Sequence, residues 1–450
     1  MGMMNRRQFL KWGGLVGAAA ITTSCLPREA IKGGSKSITS AKRKLNIVQQ
    51  THFVPAYDSW FDKEFVPKWS QANNVEVTVE HLAFADLYPR AAQHVANQSG
   101  SDLFAFANLP AMFEGQTVDL TDVVTELEKK FGKMEEIARR STYNPKTKKY
   151  FGISDHWVPF PILYRKDLWD QVEPGSKPDT WDDLLRVGGK LKAIGYPIGI
   201  GMSPELDSNT TLRSLMYSFG SSVQDEQGNV VINSKNTIEA LKMGSALFNE
   251  TMTPEIFSWS SSSNNQFLLS KNCSAIQNAI SALRTAEKRT DDLGQLIYLS
   301  KICAGPTRRL GPANLVNVYT LWKFSPVIDL AKKFLVDLIS DYATAFSKSE
   351  LYNLPSFPGT VPQFKSLLDS DPASNPRGKY NVLADANTWT TNLGYPGYGN
   401  AAIHEVLDTF IIPKMFALTA QGQMSPEEAA RWAEASIKPI FQKWKSRGLI

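Results

Sequence analysis

The side chains that most often carry catalysis or bind metals are few in this sequence and widely spaced. Five histidines stand at positions 52, 81, 94, 156 and 404, and none belongs to the H-E-x-x-H pattern of zinc hydrolases. The three cysteines form no Cys-x-x-Cys pair that would bind zinc or attach haem. The sequence also lacks a Gly-x-Ser-x-Gly elbow, a phosphate-binding loop and the dinucleotide glycine motif. These absences predict no cofactor, no metal site and no catalytic residue.

The first residues have the pattern of an export signal. Residues 5–11 read NRRQFLK, and this arginine pair followed by Phe-Leu-Lys resembles the twin-arginine motif of exported proteins. The apolar stretch at 12–21 is too short to cross a membrane as a helix, which needs about 20 apolar residues. We therefore predict that residues 1–24 are an export signal and take no part in the fold.

A cysteine directly follows this predicted signal. The sequence ITTSC at 21–25 resembles a lipobox, the motif in which the cysteine is lipidated, with Thr22 where the motif favours leucine. Residues 25–44 are rich in Gly, Ser and Lys, which is typical of a flexible tether. We expect lipidation at Cys25 and a periplasmic or cell-surface protein anchored to the membrane.

The bulk composition is that of a globular protein with more than one core. A chain of 450 residues is longer than one hydrophobic core usually supports, which predicts two domains. Hydrophobic residues make up 42% and charged residues 21%, as in soluble globular proteins. The net charge of +5 is small for this length and is not gathered into long basic runs, so we expect no nucleic-acid partner.

Strand and helix patterns alternate along the first part of the remaining chain. Apolar runs and strict alternation predict strands at 45–48, 75–79 and 101–106. Helical periodicity predicts helices at 57–70 and 87–98. Strands that alternate with helices at this spacing indicate a parallel sheet with helices on its faces.

The same alternation continues further along. Thr180 is predicted to cap a helix, with Asp183 closing a capping box, and a strand is expected near 198–200. Helices are also predicted to begin at Ser325-Pro326 and at Ser425-Pro426, because proline is favoured in the first turn.

Several segments together resemble the bacterial extracellular solute-binding proteins related to maltose-binding protein. The strongest motifs are YRKDL at 164–168 and PDTW at 178–181, where the family has Tyr-Asn-Lys-Asp-Leu and Pro-x-Thr-Trp. Weaker matches lie at 267–276, 329–335 and 394–416. The resemblance extends over about residues 45–450.

This resemblance implies an α/β, two-lobed periplasmic-binding-protein-like fold with a hinge and an interlobe ligand cleft. The first lobe would comprise 45–155 and 313–375, and the second 156–312 and 376–450. It further implies a monomeric, non-enzymatic component of an ABC transporter. Such a protein captures a sugar or polyol and delivers it to membrane permease subunits.

The resemblance also indicates which polar and aromatic side chains follow the strands at the cleft. The predicted ligand-binding residues are His52, Asn108, Trp157, Asp207, Asn209, Gln277, Asn278, Asn317, Tyr395 and Tyr398. Phe53 and His156 neighbour two of them. Each has a structural alternative: Trp157 and the tyrosines could pack a core, and Asp207 and Asn209 could cap a helix starting near Thr210.

Other interpretations remain open from sequence alone. The ligand could be a polyamine or a glycerophosphodiester, the latter with Arg213 as a candidate partner for the phosphate. An exported hydrolase is a further alternative, because any of the 44 acidic residues could form a carboxylate pair. Cys273 and Cys303 could form a disulfide or remain as two buried thiols.

Overall fold

The structure, a computed structural model, describes residues 42–450. The predicted export signal, Cys25 and nearly all of the predicted tether lie outside the described residues. The strands are β1 (Arg43–Gln50), β2 (Val75–Leu82), β3 (Leu103–Phe106), β4 (Tyr143–Asn144), β5 (Lys149–Tyr150), β6 (Ile153–Val158), β7 (Ile162–Arg165), β8 (Ile198–Gly199), β9 (Ala275–Gln277), β10 (Ile297–Ser300), β11 (Gly311–Pro312), β12 (Leu315–Leu321), β13 (Leu354–Pro355) and β14 (Thr390–Thr391).

Helices surround these strands. They are α1 (Pro55–Trp60), α2 (Val66–Asn73), α3 (Leu87–Asn97), α4 (Thr121–Phe131), α5 (Glu136–Thr142), α6 (Lys166–Val172), α7 (Trp181–Ala193), α8 (Leu206–Ser218), α9 (Lys235–Thr251), α10 (Ser263–Leu269), α11 (Ser281–Glu287), α12 (Leu293–Leu296), α13 (Ile328–Ser340), α14 (Tyr342–Lys348), α15 (Phe364–Asp369), α16 (Ala401–Asp408), α17 (Ile411–Ala420) and α18 (Pro426–Ser446). A π-helical turn, Phe61–Phe65, joins α1 to α2, so the helix predicted at 57–70 is confirmed with this irregularity.

Two sheets carry the architecture. The first has the strand order β13-β6-β12-β3-β1-β2, with β1 parallel to β2 and β3, and β12 antiparallel to β3 and β6. The second has the order β10-β7-β9-β8, with β8 parallel to β9. Every residue of β3 is buried, which explains its continuous apolar sequence, and every residue of β6 is buried although three of them are polar. Strand β2 alternates because one of its faces is open to solvent.

Two hydrophobic cores lie against these sheets. The first contains β1, β3, β6, β12 and α13, and the second is built around α7, α8, α9, α17 and α18. Helices α11 and α12, which lie within the segment 156–312, contribute their apolar residues to the first core. The residue boundaries of the two lobes stay a prediction.

The capping signals of two helices are confirmed. Thr180 accepts a hydrogen bond from the backbone N–H of Asp183, whose carboxylate accepts one from Thr180 N–H, and Ser425 and Glu428 repeat this box before α18. Such a box satisfies backbone donors that the first helical turn leaves free.

The predicted helix start at Ser325-Pro326 is wrong. Helix α13 begins at Ile328, after a turn. The Ser325 hydroxyl donates to Asp102 Oδ1 at 2.7 Å and accepts from the backbone N–H of Val327 at 3.2 Å. This bond to Asp102 ties Ser325 to the start of β3, and the chain turns there before the helix begins.

Candidate ligand-binding cleft

One side of the candidate site is aromatic and belongs to the first core. His52 and Phe53 follow β1, and Tyr352 precedes β13. The Tyr352 ring centroid lies 5.4 Å from that of His52 and 6.4 Å from that of Phe53. Phe53 is 49% exposed, which is unusual for a phenylalanine and leaves its ring available to a ligand.

His52 is held neutral in this position. Burial lowers the pKa of His52 to about 4, although a hydrogen bond to Asn353 opposes the shift. His52 Nδ1 lies 2.9 Å from the backbone nitrogen of Val54 and 3.0 Å from its oxygen, and Nε2 lies 2.9 Å from Asn353 Oδ1. The ring is therefore held on both sides and cannot supply a positive charge near neutral pH.

A small polar cavity of about 390 Å³ lies behind these rings. It is lined by Gln49, Gln50, His52, Phe53, Tyr57, His156, Leu315, Asn317, Tyr319 and Tyr352. Asn317 Nδ2 donates to Asp155 Oδ1 at 2.8 Å, and His156 Nδ1 lies 3.0 Å from the same oxygen. The structure thus brings the predicted residues His52 and Asn317 into one cavity, with His156 between them.

Asp207 lies on the other side of the site, on a helix of the second core. Helix α8 begins at Leu206, and Glu205 caps it by accepting the backbone N–H groups of Asp207 and Ser208. The prediction that this helix starts near Thr210 is therefore wrong, because Glu205, five residues earlier, already caps its first turn. Asp207 Oδ2 accepts a hydrogen bond from Asn264 Nδ2 at 2.8 Å.

The electrostatic environment of Asp207 disfavours its charge. Burial raises the pKa of Asp207 well above its usual value, and the neighbouring Glu205 carboxylate adds to this effect. The hydrogen bond from Asn264 acts in the opposite direction. A donor from a ligand would shift Asp207 toward its ionised form, in which both carboxylate oxygens accept hydrogen bonds.

The two sides meet at Asn314, in the short connection between β11 and β12. Thr210 Oγ1 of α8 lies 3.5 Å from Asn314 Oδ1. Burial raises the pKa of Tyr352, the Asp207 carboxylate raises it further, and the Asn314 side chain acts in the opposite direction. Tyr352 of the first core and Asp207 of the second therefore interact electrostatically, and the space between them is the candidate cleft. We call the five residues Phe53, Tyr352, Asn314, Asp207 and Asn264 the cleft site.

Gln277 is the last residue of β9, and Asn278 follows it. Asn278 Nδ2 donates to Asn265, the neighbour of Asn264, so Asn278 extends the same polar row. Gln277 Nε2 donates to Phe160 O at 2.9 Å and to Ser214 Oγ at 3.3 Å. These bonds hold Gln277 within the protein interior, beneath Asn278.

Asn108 has an unusual environment. It directly follows β3 and is only 1% exposed. Neither its side-chain oxygen nor its nitrogen finds a hydrogen-bond partner among residues 42–450. A buried amide without partners is costly, and a ligand or a water molecule bound there would remove that cost.

Four of the predicted residues are held by contacts elsewhere in the protein. Trp157 is 2% exposed, packs in the first core and borders a separate cavity of about 470 Å³. Asn209 is buried in α8, where its amide donates to Leu407 O at 2.8 Å. The Tyr395 hydroxyl bonds to Arg308, and the Tyr398 ring lies under the guanidinium of Arg139 at 5.2 Å. Asn209 and Tyr395 thus have hydrogen-bond partners within the protein, whereas the Trp157 indole N–H has none among residues 42–450.

Sequence reasoning missed Tyr352, Asn314 and Asn264, and a half-buried tryptophan near them. Trp259 lies over Gly201, where a Cβ would come 3.5 Å from the indole and 2.4 Å from Ser208 Oγ. The glycine therefore permits the close approach of Trp259 to the start of α8. An isolated tryptophan before a run of serines and asparagines was the available sequence signal.

The cysteine alternatives are resolved in this structure. Cys273 and Cys303 are free, buried thiols, and they belong to different hydrophobic cores. Burial raises the pKa of both, so neither is an activated thiolate.

Two absences concern residues 42–450 only. No three or more His, Cys, Asp or Glu side chains in this range are arranged to hold a metal ion. Nor does any helix there have the length and apolar character needed to cross a membrane.

Comparison with known sequences identifies two segments. Residues 54–345 match the family described as bacterial extracellular solute-binding protein, and residues 3–23 match the twin-arginine translocation signal. The second match confirms the predicted export signal type and indicates export. A curated relative, described as a binding protein of Brucella abortus, is 24% identical over 196 residues, which are 42% of this chain and 46% of the relative. The chain thus spans about half the length of the curated relatives it matches.

Solved structures share the fold at low sequence identity. An oligosaccharide-binding protein of Synechococcus sp. MITs9220, solved in complex with zinc, has a TM-score of 0.75 and 15% identity, over 89% of this chain and 99% of that one. Maltose-bound MalE3 of T. maritima has a TM-score of 0.72 and 18% identity, over 88% and 99%. These similarities confirm the predicted two-lobed α/β fold.

The family match covers most of the part of the chain that carries the cleft site, including β6, α8 and Asn314. It confirms the prediction of a binding protein rather than an enzyme. The chain belongs to the bacterial extracellular solute-binding protein family.

Proposed function

We propose that this protein captures a sugar or polyol in the cleft site and delivers it to the membrane permease of an ABC importer. The observation that carries the proposal is the pairing of one exposed and one buried aromatic ring with uncharged amides and one carboxylate. Phe53 and Tyr352 supply the rings, and Asn264, Asn314 and Asp207 supply the polar groups. The structural neighbours that bind oligosaccharide or maltose support the same class of ligand.

The chemistry of a sugar fits these groups. The C–H faces of a pyranose ring or polyol chain pack against aromatic rings, and each hydroxyl both donates and accepts hydrogen bonds. Amide side chains offer a donor and an acceptor at one position, so they can match adjacent hydroxyls. Asp207 can only accept hydrogen bonds when it is ionised, because it then has no proton to donate, and two hydroxyl donors would offset the burial that raises its pKa.

The alternative ligands are less well matched. A polyamine needs several carboxylates, but Glu205 already accepts backbone N–H groups at the start of α8. A glycerophosphodiester needs a cation, and Arg213 is fully buried behind the cleft, with its Nε 3.3 Å from Asn209 Oδ1. Burial lowers the pKa of Arg213, yet its guanidinium faces the protein interior rather than the cleft site.

Ligand capture would act through closure of the two lobes. Because the cleft site combines Tyr352 from one core with Asp207 from the other, a ligand that contacts both binds the closed form better than the open one. Moving this equilibrium from 1:99 to 99:1 requires about 5.5 kcal/mol of differential binding. A few hydrogen bonds and two ring contacts supply energy of that order. The permease would then recognise the closed form.

Delivery also requires that the protein stay near its permease. We propose that export by the twin-arginine route is followed by lipidation of Cys25. The segment 25–44 would tether a monomeric binding domain to the membrane while leaving it free to rotate. Mass spectrometry of the protein from cell membranes tests this, because a diacylglyceryl cysteine at position 25 is the expected N-terminus.

A thermal-shift screen of the purified protein tests the ligand class. The panel contains mono- and disaccharides, polyols, polyamines and glycerophosphodiesters. A ligand at a hundredfold excess over its Kd stabilises the native state by about 2.7 kcal/mol, which raises Tm by several degrees. A shift with one carbohydrate class and recovery of the sugar unchanged support the proposal. A shift only with polyamines or phosphodiesters contradicts the sugar assignment, and turnover of the sugar favours the hydrolase.

A further inference from the structure

A second, strongly basic cavity lies at the edge of the second sheet. It is formed between the edge strand β10 and the segment that follows α15, and it is open to solvent on one side. Its lining residues are Lys177, Asp179, Tyr298, Leu299, Ser300, Lys301, Arg309, Pro376, Arg377, Gly378, Lys379 and Val382. It shares none of these residues with the cleft site, so it is a separate feature of the molecule.

The charge within this cavity is unbalanced. Its lining contains three lysines and two arginines but only one carboxylate, that of Asp179. Arg309 Nη2 lies 3.0 Å from Asp179 Oδ2, and Lys177 Nζ lies 3.6 Å from Oδ1, so two cations share this one acid. Lys301 pairs with Asp385 from outside the lining. A net positive charge remains after every ion pair is counted.

Two of the cations have no carboxylate of their own. Arg377 is exposed and makes no ion pair within residues 42–450. Lys379 is only 7% exposed, and its ammonium donates to the backbone oxygen of Gly294. It also lies 5.5 Å from the centre of the Tyr298 ring. Burial lowers the pKa of Lys379 to about 8, with Glu287 opposing the shift and Arg284 adding to it.

Burying an ammonium without a carboxylate partner has a free-energy cost, and the unpaired Arg377 guanidinium lines the same cavity. An anion with several oxygen atoms would relieve it, because it could bond to Arg377 and Lys379 at once. A phosphate group suits this better than a carboxylate, since it has more acceptor oxygens and carries up to two negative charges. The cavity is large enough to hold more than the phosphate alone.

We propose that this basic cavity binds the phosphate group of a phosphorylated small molecule or of an anionic lipid headgroup. Arg377 and Lys301 contact the phosphate from the rim, and Lys379 contacts it from the interior. The site is independent of the sugar proposed for the cleft. A lipid headgroup here would orient the protein on a membrane, whereas a soluble phosphate compound would make it a second ligand site.

Two binding measurements on the purified protein test this inference and distinguish the sources. Isothermal titration with inorganic phosphate and glycerol phosphate measures binding of soluble phosphate compounds. Co-sedimentation with phosphatidylglycerol or phosphatidylcholine vesicles measures binding to a lipid headgroup. The wild-type protein is expected to bind at least one phosphate-bearing probe and not phosphatidylcholine vesicles. Binding in solution identifies a soluble ligand, and binding only to phosphatidylglycerol identifies a headgroup.

Matched variants locate the site. Lys301→Gln with Arg377→Gln is expected to weaken binding at least tenfold, and Arg377→Gln alone to weaken it severalfold without lowering Tm. Lys129→Gln with Arg431→Gln removes the same charge from exposed positions elsewhere and should bind as the wild type does. The inference is overturned if the wild type binds none of the phosphate-bearing probes. It is also overturned if the two double variants lose the same amount of affinity.

Discussion

Replacement of Asp207 by asparagine separates ligand binding from stability more cleanly than any other change in the cleft site. Asp207→Asn keeps the size of the side chain and can keep the hydrogen bond that Asn264 Nδ2 donates to Oδ2 at 2.8 Å. It removes only the negative charge. The carboxylate is the one ionisable acceptor that the second core presents to Tyr352 across Asn314.

The expected effects on affinity and stability have opposite signs. A hydrogen bond to a charged acceptor contributes about 1.5–3 kcal/mol, so loss of the charge should weaken sugar binding about ten- to a hundredfold. Burial raises the folded-state pKa of Asp207, so the folded chain holds this proton more tightly than the unfolded chain does. The resulting stability is present below about pH 4 and is lost as pH rises through the folded pKa. Asp207→Asn should therefore be more stable than wild type at pH 7.

Isothermal titration with the selected sugar and thermal unfolding at pH 5 and pH 8 measure both effects. The variant is expected to show a lower affinity, a higher Tm at pH 8 and a smaller change of Tm between the two pH values. Asp329→Asn, an exposed change on α13, is the matched control and should leave all three unchanged. Wild-type affinity in Asp207→Asn would refute the assigned role of this carboxylate, and a lower Tm would refute the electrostatic argument.

Three further changes have defined outcomes. Trp157→Ala should lower the free energy of unfolding by about 3–5 kcal/mol in urea denaturation, because the indole is buried in the first core; unchanged stability would contradict that packing. His52→Asn should reduce the rise in stability between about pH 4 and 6.5, since burial lowers the folded pKa of His52 to about 4; an unaltered pH profile would show that other groups cause it. Replacement of Arg6 and Arg7 by lysine should block export in cell fractionation, and continued export would contradict a strict twin-arginine route.

Local features of the fold could be predicted because short-range chemistry determines them. The capping box of Thr180 and Asp183 requires only a side chain and a backbone group three residues apart, and both were readable in the sequence. The alternation of β1, β2 and β3 with their helices follows from apolar periodicity. The start of α13 was misplaced because Ser325 bonds to Asp102, a residue more than two hundred positions earlier.

The candidate site depended on contacts that no local pattern encodes. Asp207 and Asn209 are two positions apart, but one projects toward Asn264 and the other toward Leu407, because a helix turns by about 100° per residue. The position of the helix start therefore decides which of them can reach a ligand. Tyr352 enters the cleft through the packing of β13 beside β6, which is a long-range pairing.

The most direct test of the central claim is a crystal structure of the protein with the sugar selected by the thermal-shift screen. The account predicts electron density for the sugar between Phe53 and Tyr352 on one side and Asp207 and Asn264 on the other, with hydroxyls within hydrogen-bond distance of both polar residues. Density for the sugar at another place, or a closed cleft site that excludes it, would contradict the account.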